Sequence, residues 1–214
     1  MPKNRRKEKR MLRKIKLTDD YVSTEQIRMI RTNIENTLSD YPTLLMVTSP
    51  NIEEQKSLIS AKLAISFAEQ KKRVLLVDAN LRRPSLHRWF DIENKTGLAN
   101  VIVHNEEVQL HARETFIPGL FLLPAGSPFV NPLEVWQSSK IKHAMSQWGW
   151  VYDVIIIEAP AFLSASHSQI LADECNGVIL VLRENDTKKE DTLLTKQFLE
   201  RAEKRILGVI YQTG

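Results

Sequence analysis

Cysteine is almost absent from this chain of 214 residues, where Cys175 stands alone. One thiol closes no intrachain disulfide and offers no cluster of thiolates to a metal, which fits a reducing compartment. Cys175 itself reads as a small buried residue. Long hydrophobic runs are missing too. Val154–Ile157 and Val178–Leu182 have strand length and fall far short of the roughly 20 residues that span a bilayer. No apolar segment follows the charged amino terminus as it would in a secretory leader. His87, His104, His111, His143 and His167 show no ligand spacing with cysteine or clustered acids, which speaks against a zinc site. These absences lead us to expect a soluble, cytoplasmic protein.

With 43% hydrophobic residues the chain is long enough to bury one sizeable core, so we expect one domain and a tail. The formal net charge of +4 belongs to the tail. Residues 1–16 hold nine Lys or Arg against one acid, Glu8, and removing them leaves 21 basic and 25 acidic residues. The division is therefore a basic arm, 1–20, ahead of an acidic domain, 21–214. Such an arm sits on anionic lipid, contacts nucleic acid or is a solvated disordered tail, and charge alone does not separate these.

Beyond the arm, Ser23 or Thr24 is placed to cap a helix whose apolar positions Ile27, Ile30, Ile34 and Leu38 recur every three or four residues. The same spacing predicts helices over about 55–69, 132–148, 166–173 and 187–202. Between them, continuous apolar runs at Leu44–Val47, Val74–Val77, Leu120–Leu123, Val154–Ile157, Val178–Leu182 and Ile206–Ile210 read as buried strands. Strands apolar throughout and alternating with helices imply an α/β fold, a mostly parallel sheet with helices on both faces. Trp136, Trp148 and Trp150 lie near helical segments and read as packing or interface residues rather than a base-stacking platform.

Ligands of such sheets bind at the carboxyl ends of the strands, so three strand ends carry the chemistry. The first runs Thr48-Ser49-Pro50-Asn51-Ile52-Glu53-Glu54-Gln55-Lys56-Ser57 into a helix, the context of a phosphate-binding loop. Lys56 and Ser57 stand where such a loop places its phosphate-binding lysine and Mg²⁺-ligating hydroxyl. Glycine is scarce in the chain, and here it is missing altogether. Glu53 and Gln55 put side chains and negative charge where backbone N–H groups are meant to wrap phosphate. The second strand ends in Asp78-Ala79-Asn80-Leu81-Arg82-Arg83-Pro84; there Asp78 can hold a metal-bound water, activate an acceptor hydroxyl or simply cap a helix, and the arginine can balance phosphate charge. The third ends in Glu158-Ala159-Pro160, where an acid would reach Mg²⁺ through water. Glu158 is one methylene longer than the usual Asp.

Taken in order, these segments resemble the Walker A, Walker A′ and Walker B motifs of the bacterial tyrosine-kinase (BY-kinase) family, capsular and exopolysaccharide type, and the likeness covers nearly everything after residue 20. Glu25, Arg28 and Arg31 occupy the positions of that family's E-x-x-R-x-x-R ring-assembly helix. Leu122–Gly126 with Asn131–Glu134, and Ser168–Ala172 before Gly177–Arg183, are similar to further family segments. The resemblance implies a P-loop NTPase-like fold and ATP with Mg²⁺, held by Lys56, Ser57, Glu53 and Gln55 of a degenerate Walker A. Ser57, Asp78 and Glu158 would lie at the metal, and Asp78, Asn80 and Arg82 in a degenerate Walker A′. It also implies a homo-oligomer or mixed ring, a membrane adaptor of the polysaccharide co-polymerase type whose cytoplasmic tail is bound, and a location at the inner face of the cell membrane.

The departures from the pattern form a set. The loop glycines are Glu53 and Gln55, the second Walker A′ aspartate is Asn80, the Walker B aspartate is Glu158, and no tyrosine-rich tail is present, since only Tyr21, Tyr41, Tyr152 and Tyr211 occur. The assembly motif is whole. We therefore expect a catalytically impaired pseudokinase, with two alternatives open: an active ATP-dependent protein-tyrosine autokinase, and a partitioning-type P-loop ATPase that binds membrane or DNA. The acidic body counts against nucleic acid.

Overall fold

The computed structural model describes residues 21–38, 41–51, 56–126 and 132–213. Helix α1 (Tyr21–Thr37) leads to strand β1 (Thr43–Thr48), helix α2 (Lys56–Ala68) and strand β2 (Val74–Asp78). Three short helices follow, α3 (Leu86–Phe90), α4 (Leu98–His104) and α5 (Val108–His111), then strands β3 (Arg113–Glu114) and β4 (Leu120–Leu123). Helices α6 (Pro132–Val135) and α7 (Ser138–Trp148) precede β5 (Val154–Glu158), and a short 3₁₀ turn at Phe162–Ser164 precedes α8 (His167–Asp173). Strand β6 (Gly177–Arg183), helix α9 (Lys189–Arg201) and strand β7 (Ile206–Gln212) complete the described chain.

The strands form one sheet in the order β3-β4-β2-β5-β1-β6-β7, parallel throughout except for the antiparallel pairing of β3 with β4. The mostly parallel α/β fold expected from the sequence is thus observed. Alternation of side chains along each strand feeds two cores. Leu45, Val47, Leu76 and Ile156 pack under α1, α2 and α3, whereas Met46, Leu75, Ile155 and Ile157 pack under α4, α7, α8 and α9. Helix α2 is sandwiched so closely between α1 and the sheet that every residue from Ile59 to Ala68 is buried. Its alanines and serines permit that approach.

Three sequence expectations need correction and a fourth is narrowed. Ser23 and Thr24 do not cap α1 but lie within it, and Ser23 Oγ accepts a hydrogen bond of 2.7 Å from the buried Lys62. The stretch 132–148 is two helices, interrupted at Trp136–Gln137, because Trp136 leaves the helical path to stack on His167 with ring centroids 4.2 Å apart. Ile206–Ile210 is no buried strand: β7 extends to Gln212 and occupies an edge, with Val209 and Tyr211 exposed. Trp150, read as packing or interface, is 91% exposed, which removes the packing role and leaves the interface role untested. Helices α3 to α5 had no expected counterpart.

One close approach fixes the loop beyond β4. Leu98 and Ala99 donate their N–H groups to Pro124 O and Ala125 O, at 2.7 and 3.1 Å, and a Cβ on Gly97 would stand 1.9 Å from Pro124 O. Gly97→Ala should therefore cost about 1–3 kcal/mol, the usual range for overpacking, read as a lower denaturation midpoint with an unchanged slope.

Candidate functional site: strand ends at the carboxyl edge of the sheet

Strand β5 lies between β1 and β2, and the register sets Glu158 beside Val47 on one side and beside Asp78 on the other. Two carboxylates are thus held at one level on adjacent strands, Asp78 with no solvent exposure and Glu158 with 2%. Asp78 is fully engaged. Its Oδ2 accepts the N–H groups of Ser85 (2.9 Å) and Leu86 (3.0 Å), and its Oδ1 accepts that of Asn80 (3.2 Å). These bonds fold the 79–85 segment back over the strand and start α3, so the capping role considered for Asp78 is realised.

Helix α2 delivers Lys56 and Ser57 to the same place. Lys56 is 5% exposed, and Ser57 Oγ donates to Glu158 Oε1 at 3.2 Å and shares a hydrogen bond with the hydroxyl of Ser85. The structure therefore brings together Lys56, Ser57, Asp78 and Glu158, as the motifs implied. Asn80 is turned to the backbone, its Oδ1 accepting the N–H of Arg83 at 3.3 Å. Arg82 lines a cleft of about 190 Å³ with Lys56, Asn80, Arg83, Pro160 and Ala161. Glu53 and Gln55 lie outside the described residues, as does the arm 1–20. Ser85 and His167 went unrecognised in the sequence. A serine directly ahead of a short helix was the available signal for the first; the second shows none.

Burial dominates the electrostatics. It raises the Asp78 carboxyl to about 6 in spite of the three N–H bonds it accepts. Glu158 is pushed further, to about 8, first by burial and then by the negative charge of Asp78; Lys56 and the Ser57 hydroxyl offset this only in part. At neutral pH the pair thus keeps a proton, on Glu158. His167, half-buried and close to Arg82, is lowered to about 4 and stays neutral.

The residues fit Mg²⁺ in donor chemistry. Ser57, Asp78 and Glu158 supply hard oxygens, and Glu158 Oε2 is buried without a hydrogen-bond partner. Among the described residues no group of three or more His, Cys, Asp or Glu could hold a metal, so a cation here would draw most of its shell from water and phosphate. When bound it would neutralise phosphate charge.

On α1, Arg28 bonds to Glu25 (2.6 Å) and, across to the turn that follows α2, to Glu69 (3.0 Å), while Arg31 pairs with Glu35 (2.6 Å). Two of the three motif residues meet each other; the third turns to its own i+4 neighbour.

Because both buried carboxyls have folded-state values above the unfolded range, the folded protein binds the extra proton, and stability should fall as pH rises through about 6 to 8. Thermal midpoints measured from about pH 5 to about pH 9 should decline for wild type. Glu158→Gln, which cannot ionise, should flatten the decline.

Comparisons with known proteins agree with this geometry. The family model described as cellulose biosynthesis protein BcsQ matches residues 54–209. Tyrosine-protein kinase YwqD of Bacillus subtilis is 34% identical over 190 residues, covering 88% of this chain and 80% of that protein. The putative tyrosine-protein kinase CapB of Staphylococcus aureus is 30% identical, covering 87% and 82%. Against tyrosine-protein kinase ptk of Acinetobacter johnsonii the identity is again 30%, but the chain spans only 27% of that longer protein. Among solved structures, the VpsO kinase domain superposes with a TM-score of 0.79 at 28% identity, covering 92% of this chain and 98% of that one. The kinase domain of the Escherichia coli tyrosine kinase ETK shares the fold, with a TM-score of 0.86 at 23% identity, covering 93% and 79%. With a BcsQ-like model matching most of its length and YwqD aligned over four fifths of its own, the chain belongs to the bacterial tyrosine-protein kinase family.

Proposed function

We propose that this protein is a catalytically impaired tyrosine kinase that serves capsule or exopolysaccharide production by assembling and by binding a membrane adaptor, rather than by efficient phosphotransfer. The observation that carries the reading is the buried Glu158, set beside Asp78 and with its Oε1 already accepting from Ser57 Oγ at 3.2 Å, at the position where a shorter aspartate would support Mg²⁺ in the family. Glu53, Gln55 and Asn80 point the same way, since each replaces a residue on which the phosphate cradle or the metal site of the family relies. Preorganised donors aimed at developing charge are worth several kcal/mol each, so their loss is costly.

In this reading Lys56 and Ser57 are the remaining phosphate contacts, with ATP and Mg²⁺ bound weakly or not at all. Asp78 organises the Walker A′ segment, and Arg82 lines the cleft beside it. The basic arm, 1–20, holds the domain, 21–214, close to anionic lipid at the inner face of the membrane, where the co-polymerase-type adaptor presents its cytoplasmic tail. The retained contact of Lys56, Ser57, Asp78 and Glu158 favours the second reading, an active autokinase with an unusual cradle.

Calorimetric titration separates the two. Glu53→Gly with Gln55→Gly should tighten Mg·ATP binding by at least tenfold, about 1.4 kcal/mol, and hydrolysis should appear only when Glu158→Asp and Asn80→Asp are added. Wild-type autophosphorylation on tyrosine that is abolished by Lys56→Met would overturn the impaired reading. For assembly, Arg28→Ala with Arg31→Ala should lower the oligomer mass in light scattering, because the charged face of α1 that carries the Glu25–Arg28 and Arg31–Glu35 pairs is the one turned to a neighbouring subunit in this reading.

A further inference from the structure

A parallel sheet gathers the turns that enter its strands at one edge, here the amino edge, opposite the site described above. Strands β4, β2, β5 and β1 lie side by side in that order, so the turns ahead of them stand in a row. Along this row the turn ahead of β4 carries Phe116, the turn ahead of β2 carries Lys71-Lys72-Arg73, the turn ahead of β5 carries Trp150, and Tyr41 stands just ahead of β1. Trp150 is 91% exposed, Tyr41 70% and Phe116 38%. Lys71 and Arg73 are exposed and Lys72 is half-buried.

The turns are tied into one surface. Arg73 O accepts the N–H groups of Asp153 (2.8 Å) and Val154 (3.3 Å), and Arg73 returns its own N–H to Asp153 Oδ2 at 2.7 Å. The other oxygen of Asp153 accepts the hydroxyl of Tyr41. Gly149 packs so closely on Pro42 that a Cβ would stand 2.4 Å from the proline ring. On the far side, Val74 donates its N–H to Gly119 O at 2.9 Å, which joins the turn ahead of β4. The acids that the described residues bring to these turns are engaged, Asp153 as above and Glu69 by Arg28 at 3.0 Å. Positive charge is therefore in excess between two groups of exposed rings.

Basic side chains interleaved with aromatic rings match the chemistry of an anionic membrane interface, where Trp and Tyr settle at headgroup level and Lys and Arg meet acidic lipid. A protein hot spot needs a rim of neighbours that excludes water around its anchor. Trp150, at 91% exposure, has none, whereas a fluid headgroup layer closes around a single ring. We propose that the amino edge of the sheet rests on anionic lipid, with Lys71, Lys72 and Arg73 facing the headgroups and Trp150 and Tyr41 entering the interface. The proposal deepens the membrane location given above and rests on it, but it assigns contact to the folded domain as well as to the basic arm. It also turns the cleft beside Arg82 away from the lipid by the length of a five-residue strand, roughly 16 Å.

Co-sedimentation of the full chain with phosphatidylglycerol and with phosphatidylcholine vesicles tests it, together with tryptophan emission. Lys71→Gln with Lys72→Gln should weaken binding to the anionic vesicles on the order of thirtyfold, the worth of two basic residues at such a surface. Trp148 is buried and Trp89 and Trp136 are half-buried, so emission should move to shorter wavelength on anionic vesicles in wild type and stay in place in Trp150→Phe. A chain carrying Arg5→Gln, Arg6→Gln, Lys7→Gln, Lys9→Gln and Arg10→Gln should keep part of the binding and the emission shift. If that chain loses all vesicle binding while the Lys71/Lys72 and Trp150 variants lose none, the edge is refuted and the membrane location stands on the arm. Edge variants that keep vesicle binding but lose binding to an acidic polypeptide, polyglutamate, would give the surface to a protein partner and overturn the lipid assignment. A wild type that sediments with neither vesicle would remove both the edge contact and the membrane location.

Discussion

The placement of β5 between β1 and β2 is the constraint on which the carboxyl edge of the sheet depends. Parallel pairing fixes register residue by residue, and a slip of one position would turn Glu158 away from both Ser57 and Asp78. With the register as it is, two acids end neighbouring strands at the same height and a helix amino terminus points its first turn at them. Like charges so close and so dry cannot both ionise at neutral pH. The backbone N–H groups of Asn80, Ser85 and Leu86 settle which does so first, since they favour the charge on Asp78. Glu158, with one hydroxyl and one buried oxygen lacking a partner, keeps the proton.

This asymmetry separates the roles of the two acids. Asp78 is a structural organiser whose carboxylate holds the 79–85 segment in its turn. Glu158 is an acceptor in reserve, neutral until a cation or a rise in pH draws its proton away. An aspartate at that position would reach less far toward Ser57, so the extra methylene bears on both geometry and charge. The arginines opposite, Arg82 and Arg83, leave the cleft electropositive although the pair between the strands carries a single negative charge.

Most of the central sheet was legible in the sequence because parallel strands covered on both faces are continuous apolar runs bounded by polar turns. The same rule misled at β7. Ile206, Leu207, Val209 and Ile210 have the letters of a core strand, and only the strand order reveals that they lie at an edge, with no further strand paired to them among the described residues. Helices α3, α4 and α5, of four to seven residues, are too short to display a period. Lys56, Ser57, Asp78 and Glu158 could be read from their positions at strand and helix ends. Ser85 could not be tied to Ser57, because their meeting depends on a loop that returns across the site. On α1, the motif was read as a contact to a neighbouring subunit and its Glu25–Arg28 pairing within the helix was not foreseen, while Glu69, a tertiary neighbour 41 residues away, has no local signature.

Helix α2 owes its position to ten consecutive buried residues, Ile59–Ala68, wedged between α1 and the sheet. Nothing in that packing calls for an anion at the helix amino terminus. The packing of the helix therefore stands without a bound phosphate. Residues 53 and 55 are not among those ten, so what stands at them answers to chemistry rather than to the burial that holds the helix.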